Sequence, residues 1–216
     1  MKVYFISGLG ADKRVFKHIS LPDRFEVIYL EWMAPEINES IEGYAVRLSE
    51  KINTNVPFSL VGLSMGGMIA SEISKRYKPR LTILISSVPL SSDLPPYYKW
   101  IASINLGRLI PVRLMKSAFI VRRLFATETN DDKSTLIQMI RDTDMKFTKW
   151  AMSAIPKWKN KELPLPYIHI HGTSDKVLPV RYTKPTHVIE KGGHLIVMNR
   201  ANEINRILEK AFSHIK

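Results

Sequence analysis

The chain has 216 residues, 45% of them hydrophobic and 24% charged, and it contains no cysteine. That balance describes one globular domain, or one domain with an insertion, and excludes a disordered, fibrous or repeat-array protein. Without cysteine there are no disulfides, thiolate metal sites or cysteine nucleophiles, which suits a reducing compartment. The net charge of +12 is dispersed: residues 1–87 carry 11 basic and 9 acidic groups, residues 88–163 carry 13 and 7, and residues 164–216 carry 8 and 4. No run of five or six basic residues occurs, so no nucleic-acid partner is expected.

Met1-Lys2 leads into Val3-Tyr4-Phe5-Ile6, an apolar run too short for the core of a signal peptide. Residues 3–7 read instead as a strand, followed by strands at 26–30, 58–63, 81–86, 167–171 and 186–190. Most are apolar on both faces, as expected in a buried parallel sheet. The most apolar stretch, residues 58–70, is interrupted by Ser59, Gly62, Ser64, Gly66 and Gly67. It is shorter than the roughly 18–20 residues of a membrane span, so a cytoplasmic protein is expected.

Helical patterns fill the gaps between strands. Residues 40–53 set Ile41, Tyr44, Ala45, Leu48 and Ile52 on one face, with Ser40 as N-cap. A helix over 65–77 follows the third strand. One over 201–215 closes the chain, with Ile204, Ile207, Leu208, Ala211 and Phe212 aligned. This alternation predicts an open α/β sheet with helices on both sides.

Residues 88–163 break the alternation. They contain no good strand but several helical patterns: one opened by Pro111 and carrying Leu114, Met115, Ala118 and Phe125, one capped by Asp131 or Asp132, and one capped by Asp144 and ending before Pro156. The expectation is an all-helical cap inserted between two strands. The core would then be residues 1–87 with 164–216. Trp100, Trp150 and Trp158 are expected where cap meets core, and Met115, Met139, Met145 and Met152 inside it.

The strongest chemical signal is Gly62-Leu63-Ser64-Met65-Gly66, followed by Gly67. The bare G-x-S-x-G pattern is weak, but an apolar strand precedes it and a helix follows. A serine at so sharp a turn takes a strained backbone, and the flanking glycines avoid collisions. A serine hydroxyl needs a base. His194 follows Gly192-Gly193 between the last strand and the last helix. A third group must orient the imidazole, and Asp175 follows the strand 167–171. All three lie beyond the carboxyl ends of strands, where open α/β sheets place their sites.

With these motifs in order, the chain resembles the α/β-hydrolase superfamily. The matching residues are Gly62-Leu63-Ser64-Met65-Gly66-Gly67, His171-Gly172-Thr173-Ser174-Asp175 and Gly192-Gly193-His194. The resemblance implies a minimal, about six-stranded, mainly parallel sheet with a helical cap, because the chain starts at the strand leading to the oxyanion loop. It also implies backbone N–H donors at Leu9 and Met65. The usual His-Gly of that loop is Ser7-Gly8 here, which leaves the support of the loop to be found elsewhere.

Asp93, just after the strand 81–86, is the alternative acid. His169 and His171 alternate along one strand and, without a nearby carboxylate, are expected to be structural rather than metal-binding. His18, His187 and His214 have no partner pattern. The expected function is hydrolysis of a small ester or thioester through an acyl-serine, needing no cofactor or metal. The alternatives are amide or carbon–carbon cleavage by the same residues, or a ligand receptor on the same fold.

Overall fold

The computed structural model describes residues 1–103 and 128–215. Strands β1 (Lys2–Ile6), β2 (Glu26–Leu30), β3 (Phe58–Leu63), β4 (Thr82–Ile85), β5 (Tyr167–Gly172) and β6 (His187–Ile189) form one sheet in the order β2-β1-β3-β4-β5-β6. Every neighbouring pair is parallel. Among the described residues the helices are α1 (Ile41–Ser49), α2 (Met65–Tyr77), α3 (Pro96–Ser103), α4 (Asn130–Asp142), α5 (Met145–Ala154), α6 (Ile196–Asn199) and α7 (Ala201–Ser213).

Alternation along the strands splits the core into two layers. Tyr4, Ile6 and Leu60 pack with Ile41, Tyr44, Leu48, Met68 and Ile69 of α1 and α2. Val3, Phe5, Val61 and Ile83 pack on the other face with Ile196, Ile204, Leu208 and Phe212 of α6 and α7. β3 and β4 are buried throughout, which is why they read as unbroken apolar runs. The edges differ: Tyr29 of β2 and Val188 of β6 are exposed, because an edge strand has one flank without a neighbour.

Between β4 and β5 the described residues contain helices and turns but no strand. Residues 101–127 take in the whole predicted helix behind Pro111, and its side chains lie outside those described. The other two helices are where the sequence puts them. Asp144 caps α5, accepting from the Phe147 N–H at 2.8 Å, and the helix ends at Ala154 before Pro156. The cap of α4 is Thr129, not Asp131 or Asp132; its hydroxyl accepts from the Asp132 N–H at 3.0 Å. Asp132 is drawn instead to Lys17 and His18 on the turn after β1. Arg14 from that turn bridges Asp12 and Asp142 at 2.6 Å.

These two helices seat themselves on both core layers. Leu136 and Met139 of α4 join the α7 side, and Phe147 and Ala151 of α5 join the α1–α2 side. Trp150 stacks at 4.5 Å from Tyr44 and donates its indole N–H to the Glu39 carbonyl at 2.7 Å. Trp158 is buried and donates to Glu72 at 2.7 Å. Trp100 departs from expectation at 63% exposed, as does Met145 at 50%. α1 also stops at Ser49, short of the predicted Asn53. Its start is as expected: the Ser40 hydroxyl accepts from the Gly43 N–H at 3.1 Å.

Candidate active site

Ser64 sits between the last residue of β3 and the first of α2, with φ 53° and ψ −119°. This is a strained conformation for a residue bearing a side chain. Two glycines make it possible by close approach. A Cβ on Gly62 would strike the Gly66 carbonyl, and one on Gly66 would strike the carbonyls of Ile6 and Ser7 at the end of β1. The Ser87 hydroxyl, just beyond β4, braces the turn by donating to the Ser64 carbonyl at 2.6 Å.

The loop after β5 carries Asp175, and the loop after β6 carries His194. The two are joined by backbone: the Thr173 N–H donates to the Ile189 carbonyl at 3.0 Å and the Ser174 N–H to the Gly192 carbonyl at 2.8 Å. Asp175 and His194 are both buried. The His194 Nδ1–H donates to Asp175 Oδ2 at 2.7 Å, and the Ser64 hydroxyl donates to His194 Nε2 at 2.9 Å. The carboxylate decides the tautomer, since only a protonated Nδ1 can face it. Nε2 is thereby left as an acceptor toward Ser64.

The acid is ionised in a buried place. Burial pushes the Asp175 carboxyl up, but His194 and the His171 N–H hold it well below the usual carboxylate range. Its other oxygen accepts the N–H groups of Val177 and Leu178 at 2.8 and 2.9 Å. Asp93 lies elsewhere, beside Ser92, Thr183 and Lys184, and burial pushes it up.

Leu9 follows Gly8, and a Cβ on Gly8 would lie 3.3 Å from Ser64 Cβ, so this loop runs directly against the serine. Met65 is the first residue of α2, where backbone N–H groups have no partner within the helix. Ser7 supplies the loop support that the sequence left open. Its hydroxyl donates to the Ala11 carbonyl at 2.9 Å, which also receives the Trp32 indole N–H at 3.2 Å, while the Ala11 N–H returns to the Gly8 carbonyl at 3.1 Å. A cavity of about 780 Å³ opens beside this loop, lined by Ser7, Ala11, Trp32, Met33, Met139 and Phe147 among others.

His169 and His171 do face one side of the sheet, with a Nε2–Nδ1 distance of 3.0 Å. The nearby carboxylate that their spacing does not reveal is Asp175, 3.3 Å from His171 Nε2. Burial, and then the neighbouring His171, push His169 down to about 3. Among the described residues no group of three or more histidines and carboxylates is arranged to hold a metal ion. His18 has acquired a partner, with Nε2 3.0 Å from Asp132 Oδ1. Among the described residues no helix is long and apolar enough to cross a membrane.

A six-stranded parallel sheet with this serine turn defines an α/β hydrolase. The profile of the Alpha/beta hydrolase family matches residues 3–207, and the chain belongs to that family. Among curated proteins it is similar to the pimeloyl-[acyl-carrier protein] methyl ester esterase of Neisseria meningitidis serogroup A, 24% identical over 93% of this chain and 70% of that protein. Among solved structures it is similar to a malate-bound thermophilic esterase of Thermogutta terrifontis, with TM-score 0.75, 19% identity and coverage of 99% of this chain and 89% of the other. MenH from S. aureus superposes with TM-score 0.76 at 15% identity, covering 99% and 93%.

Proposed function

We propose that the protein is a serine hydrolase that cleaves a small carboxylic ester or thioester. The observation that carries this reading is the hydrogen-bonded set Ser64, His194 and Asp175, at 2.9 and 2.7 Å, beside the Gly8-Leu9 backbone. The similarity to a methyl ester esterase supports ester over amide as the bond broken.

In this reading Ser64 Oγ attacks the substrate carbonyl while His194 Nε2 takes its proton. The negative charge that develops on the carbonyl oxygen is held by the backbone N–H groups of Leu9 and Met65. The intermediate collapses, breaking the bond to the alcohol or thiol, which leaves with the proton from His194. Water then attacks the acyl-serine, again giving its proton to His194, and the acid departs as Ser64 recovers its hydrogen. Asp175 keeps its charge throughout and stabilises the imidazolium. These residues carry every step without a cofactor. Residues 88–163 serve as a cap whose inner face selects the substrate, in keeping with the seat of α4 and α5 beside the Ser7–Ala11 loop.

The test is labelling with a fluorophosphonate, followed by turnover of a panel of short-chain nitrophenyl esters and acyl thioesters. Wild-type protein should label once, at Ser64, and release product continuously. Ligand binding without labelling or turnover would overturn the reading in favour of a receptor on the same fold.

A further inference from the structure

The donors around Asp175 include one that the proposed mechanism does not use. Asp175 Oδ1 is filled by the N–H groups of Val177 and Leu178. Oδ2 receives His194 and also stands 3.3 Å from His171 Nε2. That same nitrogen is 2.7 Å from the Leu178 carbonyl. Both neighbours of Nε2 are oxygen acceptors, so Nε2 must carry a hydrogen. Nδ1 of His171 is then an acceptor, and the nitrogen facing it, His169 Nε2, must donate. His169 Nδ1 ends the chain with no hydrogen bond of standard geometry.

We propose that His171 is a positioning residue for Asp175, and that His169 locks the tautomer in which it acts. His171 acts on the acid twice: through Leu178, whose carbonyl it binds and whose N–H binds Oδ1, and by the 3.3 Å approach of the same Nε2–H to Oδ2. The proposal rests on the reading of Asp175 as the acid of the site. Both imidazoles are fully buried at strand positions paired with the apolar Leu84 and Val188. Two desolvated imidazoles are a costly filling for such a place, which apolar side chains would satisfy without polar partners. The direction of their hydrogen bonds, running from His169 to His171 to the acid, is what an apolar pair could not provide.

The consequence falls on the rate rather than on binding, because neither histidine adjoins Ser64. Groups that orient a functional residue are worth about 10–100-fold in activity. His171→Phe, which keeps a flat ring and removes both nitrogens, should lower kcat by about 10–100-fold with KM within about twofold. His171→Gln keeps an N–H and an acceptor and should recover most of the loss. Removing the donor also concentrates charge on Oδ2 opposite His194. The acid limb of kcat/KM in His171→Phe should therefore move to higher pH by about half a unit. The groups that would share in this titration are Asp175, His194 and His169, with Tyr97 and Tyr98 of α3 coupled to Asp175 through space.

Kinetics of the three proteins, together with the low-field proton NMR resonance of the His194 Nδ1–H, decide the matter. The resonance should shift in His171→Phe and return toward its wild-type position in His171→Gln. It reports on the Asp175–His194 bond whether or not esters are turned over, so an inactive wild type would sink the hydrolase reading while leaving this one open to judgement. Wild-type kcat, pH profile and resonance in His171→Phe would overturn the proposal, as would His171→Gln being equally impaired. If His171→Phe does not fold, His169→Phe takes its place. A loss of kcat of about threefold or more at unchanged KM supports the lock, and unchanged kcat overturns it.

Discussion

Ser64 is held by backbone and sterics. Its φ of 53° is enforced by Gly62 and Gly66 at contact distance from neighbouring main chain, with one hydroxyl, Ser87, bracing its carbonyl. Asp175 is held by hydrogen bonds from two peptide N–H groups and the His194 imidazole, with His171 Nε2 a further 3.3 Å from Oδ2. A site positioned by packing tolerates almost no added atom, because carbonyls cannot retreat from a new Cβ. A site positioned by several donors degrades in steps, one donor at a time. The placement of Ser64 is therefore an all-or-none feature of this chain, and that of Asp175 a graded one.

The largest expected effect is at Ser64, the proposed nucleophile. Ser64→Ala removes a single oxygen and should reduce ester turnover by about 10⁴–10⁶-fold. Its melting temperature should stay close to wild type, because the glycine contacts that set the turn remain. Substantial turnover in that folded variant would move the nucleophile elsewhere.

Next comes Asp175, the proposed acid. Asp175→Asn should cost up to about 10⁴-fold in kcat, since an amide favours the wrong tautomer of His194. Asp93→Asn should change kcat little, as Asp93 neighbours Thr183 and Lys184 rather than the imidazole. Comparing the two by steady-state kinetics gives a ranking, and the reverse ranking would contradict the geometry.

A smaller effect is expected at the loop after β1, the proposed oxyanion loop. Ser7→Ala removes the tie to the Ala11 carbonyl but leaves both Leu9 and Met65 peptides in the chain. Loss of one oxyanion donor costs about 10²–10³-fold, which bounds the effect from above. A fall in kcat/KM of about tenfold would show how far a serine stands in for the histidine more usual at this position.

The smallest concerns stability and the buried pair. His169 has a folded value pushed down to about 3, against an ordinary value of 6.5. Unfolded chains therefore bind a proton there that the folded protein does not. The sign follows: this contribution is intact at neutral pH, and it is lost progressively as pH falls from about 6.5 toward about 3. His169→Gln should flatten that part of the curve of melting temperature against pH, relative to wild type. Equal slopes for the two proteins would mean that the imidazole is not held neutral.

Much of this was legible without coordinates. The central strands declare themselves because parallel strands covered on both faces must be apolar throughout. Gly62, Ser64 and Gly66 declare the turn because few other sequences can close it. The ordered spacing of Ser64, Asp175 and His194 points to their meeting because each follows a strand of one sheet. Other features were hidden because they depend on contacts between distant segments. Thr129 displaces Asp131 and Asp132 as the cap of α4 because Lys17 and His18, more than a hundred positions earlier, claim Asp132. Trp100 looks like its interface companions Trp150 and Trp158 in sequence, yet it is 63% exposed, while Trp150 reaches Glu39 and Trp158 is buried against Glu72.

The residues in order thus determined the fold class, the serine turn and the meeting of Ser64, Asp175 and His194, since local sterics and strand burial write themselves into residue type and spacing. Tertiary structure alone decided how each is supported. Ser87 meets Ser64 because the carboxyl ends of the neighbouring strands β4 and β3 converge, while Ser7 meets Ala11 and His171 meets Asp175 because each loop folds back, four residues on, against the end of its own strand. No periodicity records such meetings: a hydrogen bond needs only about 3 Å and the right angle, and both are set by the twist and register of the sheet.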